Sequence, residues 1–296
     1  MFSKLRSFLK HSLPHFLRHP LWRKQRLSPL LRFARLQLIF ALGEKKIYLK
    51  WFDNLILPIE KGDTGLTGNY YLGLHEFEDM AFTIHLLHEN DLFIDVGANH
   101  GSYSLIASGV TKAKSLAYEP VPNTYERLVQ NISVNSLLDR VSPFMIALTS
   151  PLHSEGGKKI RFSSDRGCMN SFVDESYPGS TVDVDTSTFD EECRNSEPVL
   201  IKIDVEGFEA DVLKGASHTL TKESLLAVIV EGQTDEVNQF FKTKGFTDVN
   251  YCPLSKTIQP HSKKTSNRIW IKSSKYDAVQ NRLKNASLHS VYGNTF

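Results

Sequence analysis

A chain of 296 residues, 41% hydrophobic and 23% charged, has the composition of a soluble globular protein and the length of one large domain or two small ones. Its three cysteines, Cys168, Cys193 and Cys252, are far apart with no C-x-x-C pair, which argues against a disulfide framework or a zinc site and fits a reducing, cytoplasmic compartment. The net charge of +2 hides an asymmetry: residues 1–50 hold twelve Lys/Arg and a single acid, Glu44, whereas the remainder holds 23 Lys/Arg against 32 Asp/Glu.

In chain order the basic head comes first. Pro14, Pro20 and Pro29 break it into short helical pieces. Its sequence, MFSKLRSFLKHSLPHFLRHPLWRKQRLSPLLRFARLQLIFALG, mixes basic residues with Leu, Phe and Trp. The longest apolar stretch, Leu36 to Leu42, is broken by Gln37 and is too short to span a bilayer. The long basic lead makes a poor cleavable signal peptide. Two roles suit residues 1–43: cap helices that pack on the main domain with solvated basic faces, or an interfacial helix in peripheral contact with the inner face of an anionic membrane. The first is favoured, because cap helices bury such stripes. Nucleic acid is not expected, since no basic groove with spaced stacking aromatics is patterned here, and no pattern specifies an oligomeric state.

Residues 45–73 read as irregular or β-like, with Gly and Asp turns. Residues 75–90 read as a helix, with Phe77, Met80, Ala81, Ile84 and Leu87 at helical spacing and Asn90 at its end. His85 and His88 have no other ligand types nearby, so no metal is expected there. Residues 1–90 thus form a basic N-terminal helical or irregular cap.

From residue 91 strand and helix alternate. DLFIDVG, SLAYEP, RVSPFMIAL, EPVLIKIDVEG and SLLAVIVEG are strands; SYSLIAS, NTYERLVQNISVNSL, FEADVLKGASHTL and TDEVNQFFKTKG are helices. FTDVNYC and NRIWIKS close the pattern as two strands without room for a crossover helix. Near-continuous apolar strands belong to a parallel sheet covered on both faces. The expected fold class is therefore α/β and Rossmann-like: a mostly parallel sheet, an antiparallel C-terminal edge, helices on both faces and the N-terminal cap. Its domain runs over 91–272, with a β insertion at about 151–190. Residues 273–296 read as a polar tail, a weakly ordered helix plus loop.

The chemistry concentrates at DLFIDVGANHGSYSLIASG, residues 91–109. Ligands of such sheets bind outside the carboxyl ends of the strands, where Gly97 and Gly101 lie. Gly97-Ala98-Asn99-His100-Gly101 is G-x-x-x-G, with Asn99 in place of the second glycine of a dinucleotide fingerprint. Asp95 just before it would repel a phosphate but favour a cationic group. Glu119 ends the next strand, where a carboxylate can accept both hydroxyls of a ribose. Two acids without a phosphate cradle describe an adenosine ligand with a positive, phosphate-free tail, the shape of S-adenosylmethionine.

FIDVGANHGSYSLIAS, AYEPVPNTYERLVQNISVN, LIKIDVEGFEADVLKGA and AVIVEG, in that order and spacing, resemble the FkbM family of S-adenosylmethionine-dependent methyltransferases. VDVDTSTFDEEC resembles that family's lead-in to the third block. The resemblance covers residues 91–232, and K-I-D-V-E-G is its most distinctive piece. It implies a class I methyltransferase fold and methyl transfer to a hydroxyl, often on a sugar or a polyketide-like product. The partner it implies is a small-molecule or glycan acceptor. It also implies that Asp95, Gly97, Asn99 and Gly101, with Ala98 in the same loop, line the methionine end, that Glu119 holds the ribose, and that Ala147, within Ile146-Ala147-Leu148, flanks the adenine. His100 departs from the family's usual small or polar residue, and either faces solvent or reaches the acceptor.

An alcohol acceptor must lose its proton, which a positioned carboxylate or His can take. Asp204 and Glu206 end the fourth strand at the same mouth, and Glu231 ends the fifth. Lys202 shares a strand face with Asp204 by alternation and can keep it ionised. Asp204 is the expected base or substrate orienter, with Glu206 and His100 in reserve; Glu206 reads equally well as a helix-entry acid. Three carboxylates could hold Mg²⁺, but without a convincing ligand spacing no metal is expected. The competing functions are a nicotinamide-dependent oxidoreductase, which would need a glycine at Asn99, a non-catalytic adapter that retains the fold, and methyl transfer to nucleic acid, whose usual Asn/Asp-Pro-Pro-aromatic block does not occur here.

Overall fold

Strands that are apolar at successive positions must be covered on both faces, and the central strands of this chain divide their side chains accordingly. In β3 (Leu92–Val96) Phe93 enters one core while Ile94 and Val96 enter the other. In β10 (Ala227–Glu231) Ala227 and Ile229 face the first core, Val228 and Val230 the second. The computed structural model describes residues 17–24, 27–52, 54–63, 65–155, 158–167, 170–232, 234–261 and 266–296.

The main sheet has eight strands. Its order is β12 (Thr257–Pro260), β11 (Phe246–Cys252), β13 (Asn267–Lys272), β10, β9 (Pro198–Ile203), β3, β4 (Lys114–Tyr118) and β5 (Val141–Phe144). The five strands from β10 to β5 are parallel, whereas β13 is antiparallel to β10, β11 to β13, and β12 to β11. The antiparallel part is thus present, but β13 does not lie at the edge: it inserts between β10 and β11, so its buried Trp270 can stack on Phe241 at 5.0 Å. Pro143 is tolerated in β5 because that strand has a free edge.

One face carries α4 (Phe77–Leu86), α5 (Ser102–Val110), α6 (Pro122–Val134) and α11 (Tyr276–Lys284); the other carries α8 (Phe189–Glu192), α9 (Glu209–Lys214) and α10 (Asp235–Thr243). RVSPFMIAL is not one strand. The chain leaves the sheet after Phe144, Met145 is half exposed, and β6 (Ala147–Thr149), followed by the short helix α7 (Pro151–Ser154), joins β7 (Lys159–Ser163) and β8 (Thr181–Thr188) in a separate three-stranded sheet.

The head packs on the first core. Leu21 and Trp22 of α1 (Pro20–Lys24) and Leu36 and Phe40 of α2 (Ser28–Ala41) are buried there. Pro20 and Pro29 fall in the first turns of these helices, where their missing N–H costs nothing. Pro14 lies outside the described residues. Residues 45–73 form the hairpin β1 (Lys46–Lys50)–β2 (Ile56–Glu60) and helix α3 (Thr67–Leu72). His85 is buried against Tyr251, and that burial lowers its pKa to about 3, so it stays neutral. No helix among the described residues is long and apolar enough to cross a membrane.

Residues 273–296 differ from the polar tail expected of them. Val279 and Leu283, one turn apart on α11, are buried, and so are Val291 and Phe296 around the hairpin β14 (Ser290–Val291)–β15 (Asn294–Thr295). Tyr292 donates to Lys50 O and lies 4.4 Å beneath the Arg32 guanidinium, which ties this end of the chain to the head.

Candidate active site

The order of the sheet reverses at β3, with β4 on one side and β9 on the other. Such a switch point opens a crevice outside the carboxyl ends of the strands. The cleft found there is lined by Gly97 and Asn99 of the loop after β3, Glu119 after β4, Ile146, Ala147 and Leu148 at β6, and Asp204 and Glu206 after β9.

The loop between β3 and α5 is held by backbone hydrogen bonds, two of them to the end of β4. Gly97 N–H and Ala98 N–H both donate to Tyr118 O at 2.9 Å, and Gly101 N–H donates to Ala98 O at 2.8 Å. Gly97 has φ +77°, and a Cβ there would lie 1.8 Å from Asp204 O. The glycine is therefore required by the close approach of two backbones as well as by its turn. Asn99 also adopts a left-handed φ, 52°, a conformation Asn tolerates better than most residues.

Glu119 is buried at the floor of the cleft. Its Oε2 accepts from Asn99 N–H and its Oε1 from Val121 N–H, both at 3.0 Å. Burial raises its pKa to about 7, against the pull of those two bonds. Each oxygen retains acceptor capacity toward a ligand.

Four of the expected loop and site residues do not line this cleft. Asp95 is buried beneath it, and its Oδ2 accepts from Ser104 N–H (3.1 Å) and Ser104 Oγ (2.7 Å), which fastens the first turn of α5. Burial raises the Asp95 pKa, with the charge of Lys202 opposing; the two residues are paired in register across β3 and β9. Ala98 and Gly101 shape the turn. The His100 ring is directed at Asp63, with Nδ1 3.3 Å from Oδ1, and Arg127 holds the same carboxylate from α6. Although burial favours its neutral form, Asp63 keeps a lowered pKa because of the His100 hydrogen bond and the His100 and Arg127 charges. His100 thus fastens the loop to the β2–α3 connection, and its carbonyl accepts from Asn131 Nδ2.

The other side of the mouth is acidic. Asp204 pairs with the buried Lys202. Burial pushes the Asp204 pKa up, but the Lys202 charge and the hydrogen bond from Glu231 outweigh it, so the carboxylate stays ionised. Glu231 responds in the opposite sense. Its hydrogen bond to Asp204, burial and the Asp204 charge raise its pKa to about 9, so at neutral pH it holds the shared proton. Asp204, Glu206 and Glu231 each bring a carboxylate oxygen within 4.8 Å of the others. The proton between Glu231 and Asp204 offsets part of that repulsion. Glu206 is exposed at the rim with φ 51°.

Several residues at the mouth escaped the sequence reading. The helix-entry acid is Glu209, not Glu206: its Oε1 accepts from Gly207 N–H at 3.0 Å and Val205 N–H at 3.4 Å. Both acids sit in EGFE, and only the path of the turn separates them. Phe162 and Asn170, from the β insertion, complete the wall beside Ala147, while Phe208 stacks on Phe172 at 5.1 Å. Below Asp204, Lys202 Nζ lies 4.6 Å from the Tyr103 ring centre, and Tyr103 Oη donates to Glu76. Asn267 Nδ2 donates to Glu76 and Asp79. Burial, then the Glu76 charge, pushes the Asp79 pKa to about 7.

Residues 95–247 match the model of the methyltransferase FkbM domain. A hexuronic acid methyltransferase of Haloferax volcanii, AglP, is 37% identical over 146 residues, which are 48% of this chain and 56% of that protein; the chain thus spans little more than half the length of that relative. The methyltransferase sdnD of Sordaria araneosa is 28% identical over 205 residues, covering 57% of this chain and 79% of that one. Among solved structures, a precorrin-6y C5,15-methyltransferase from Geobacter metallireducens aligns with 67% of this chain and 86% of its own, at 13% identity and a TM-score of 0.40. With its match reaching from the acid of β3 to the start of β11, more than half its length, this chain belongs to the FkbM methyltransferase family.

Proposed function

We propose that this chain transfers a methyl group from S-adenosylmethionine to a hydroxyl of a sugar or related small molecule. One observation carries the choice of cofactor: the N–H groups of Gly97 and Ala98 are engaged by Tyr118 O of β4, that of Gly101 by Ala98 O and that of Asn99 by the Glu119 carboxylate. A pyrophosphate would find those donors occupied and an acid beside them, which disfavours the nicotinamide alternative. An adenosine fits the same groups. The free lone pairs of Glu119 suit the two ribose hydroxyls, and Ile146, Ala147, Leu148 and Phe162 offer apolar walls for a base. When bound, S-adenosylmethionine supplies a methyl group on a positively charged sulfur.

The chain's own part is alignment and proton handling. Alignment of a nucleophile with its target supplies a large share of the rate in such displacements. Asp204, ionised beside Lys202 and next to the cleft, is placed to accept the hydroxyl proton of an acceptor. Glu206 stands behind it at the rim, whereas His100, turned to Asp63, serves the loop. A sugar acceptor is supported by the hydrogen-bond acceptors of this mouth and by the hexuronic acid substrate in the name of the Haloferax relative.

Calorimetry tests the cofactor directly. S-adenosylhomocysteine is expected to bind and NAD to show no heat; NAD binding without S-adenosylhomocysteine binding would overturn the reading. The pH dependence follows from Glu119. Raising the pH through about 7 ionises its carboxyl, and only the ionised form leaves both oxygens free to accept from the ribose. Affinity for S-adenosylhomocysteine is therefore expected to rise by about tenfold between pH 6 and pH 8, one unit either side of the titration. Glu119→Gln should flatten that profile. An unchanged slope in the variant would move the titrating group elsewhere.

A further inference from the structure

We infer that the outward face of α2 docks on an anionic lipid bilayer. Leu27, Leu31, Leu38 and Leu42 are 72%, 68%, 59% and 77% exposed. They succeed one another by four, seven and four residues, which places them on one side of a helix, with the exposed Ala34 and Ala41 between them. The opposite side buries Pro29, Leu36 and Phe40 in the core. One face of α2 is thus fully used as a cap, and a stripe of leucine is left to water.

The charge of the head selects the partner of this stripe. Residues 1–43 hold nine Lys/Arg and no acid, although the chain beyond residue 50 is net acidic. Arg18 and Arg35 are exposed. A second copy laid on the stripe would bring two such heads together against like-charge repulsion. A nucleic acid would answer the charge and leave the leucines wet. An anionic bilayer answers both, since leucine enters the acyl boundary while arginine and lysine meet the headgroups. The docked helix is also connected to the cleft. Arg32 Nε donates to Tyr71 O on α3 at 3.0 Å, and Asn69 Nδ2 of α3 donates to Ser102 Oγ, which opens α5 just after Gly101, at 3.1 Å. A membrane-held acceptor would therefore meet a site fixed relative to the surface. The inference itself stands apart from the reaction proposed above.

Sedimentation of the full chain with vesicles decides it. With phosphatidylserine mixed into phosphatidylcholine, most of the protein should pellet at low ionic strength, and several-fold less at high salt, where charge attraction is screened. The double variant Leu31→Glu/Leu38→Glu should stay in the supernatant while keeping the wild-type circular dichroism and melting temperature, because both sites are exposed. Wild-type protein that remains in the supernatant at low salt overturns the inference. So does equal recovery on vesicles of phosphatidylcholine alone, or a pellet unaffected by the leucine substitutions. A concentration-dependent dimer that the same substitutions abolish, with no vesicle binding, would assign the stripe to a second copy instead.

Discussion

Asp204→Asn is expected to fold, to bind S-adenosylhomocysteine within a few-fold of wild type, and to lose roughly 10²-fold or more in turnover, the range for a lost general base. The buried Lys202 decides whether such a variant survives. Removing one partner of a buried ion pair ordinarily costs about 3–5 kcal/mol. Here Glu231 holds a proton chiefly because Asp204 is its ionised neighbour. Once Asp204 is neutral, Glu231 can ionise and take over the balance of charge. The double variant Asp204→Asn/Glu231→Gln, which lacks that reserve, should melt well below either single variant. Turnover is measured as S-adenosylhomocysteine release on a sugar acceptor that the wild type uses, and activity within a few-fold of wild type would clear Asp204 of the role. The pH profile separates proton removal from orientation. The Asp204 pKa is lowered, so a base predicts activity that persists through the ordinary carboxylate range, falls only below it, and loses that acidic limb in the variant.

Gly97→Ala should abolish detectable binding of S-adenosylhomocysteine and lower the melting temperature by about 10 °C, since a few kcal/mol shift a domain of this size by about 2–4 °C each. Two effects combine at this position. A left-handed φ costs a side chain roughly 1–2 kcal/mol. The added Cβ also meets a backbone carbonyl, Asp204 O, which cannot rotate away because Asp204 N–H is itself bonded to Val96 O at 2.9 Å. Gly245 isolates the first effect: its φ is +78° and nothing lies within 4 Å of the position of its Cβ. Gly245→Ala is therefore expected to destabilise mildly and to leave binding intact. Equal losses in the two variants would show that the approach of the β3 and β9 loops is not what Gly97 protects.

What could be read from the sequence alone is what the chain's covalent geometry dictates over a few residues. A side chain points to alternate faces along a strand and returns every 3.6 residues along a helix. The apolar runs around Ile94, Ile201 and Val228 therefore announced buried parallel strands, and the stripe through Phe77, Met80 and Ile84 announced α4 before any fold was known. The same local logic placed Gly97, Asn99, Glu119 and Asp204 at strand ends on one mouth, and all four line the cleft. The tertiary structure decided whatever depends on partners distant in the chain. Asp63 reaches His100 from the β2–α3 connection and turns its ring away from the cleft. Ser104 occupies an Asp95 oxygen that the loop motif had suggested for a ligand. Glu231 joins Asp204 because β10 lies beside β9, and their shared proton follows from that adjacency. Phe162 enters the wall from β7 and Asn170 from the segment between β7 and β8, through a second sheet whose pairing no periodicity announces. The C-terminal segment gave no sign of its burial because Val291 and Phe296 stand isolated among polar residues, and only packing against the head and α4 removes them from water. Contacts of this kind follow from how strands order themselves in the sheet and which surfaces then meet, a property of the whole packed chain that no local window contains.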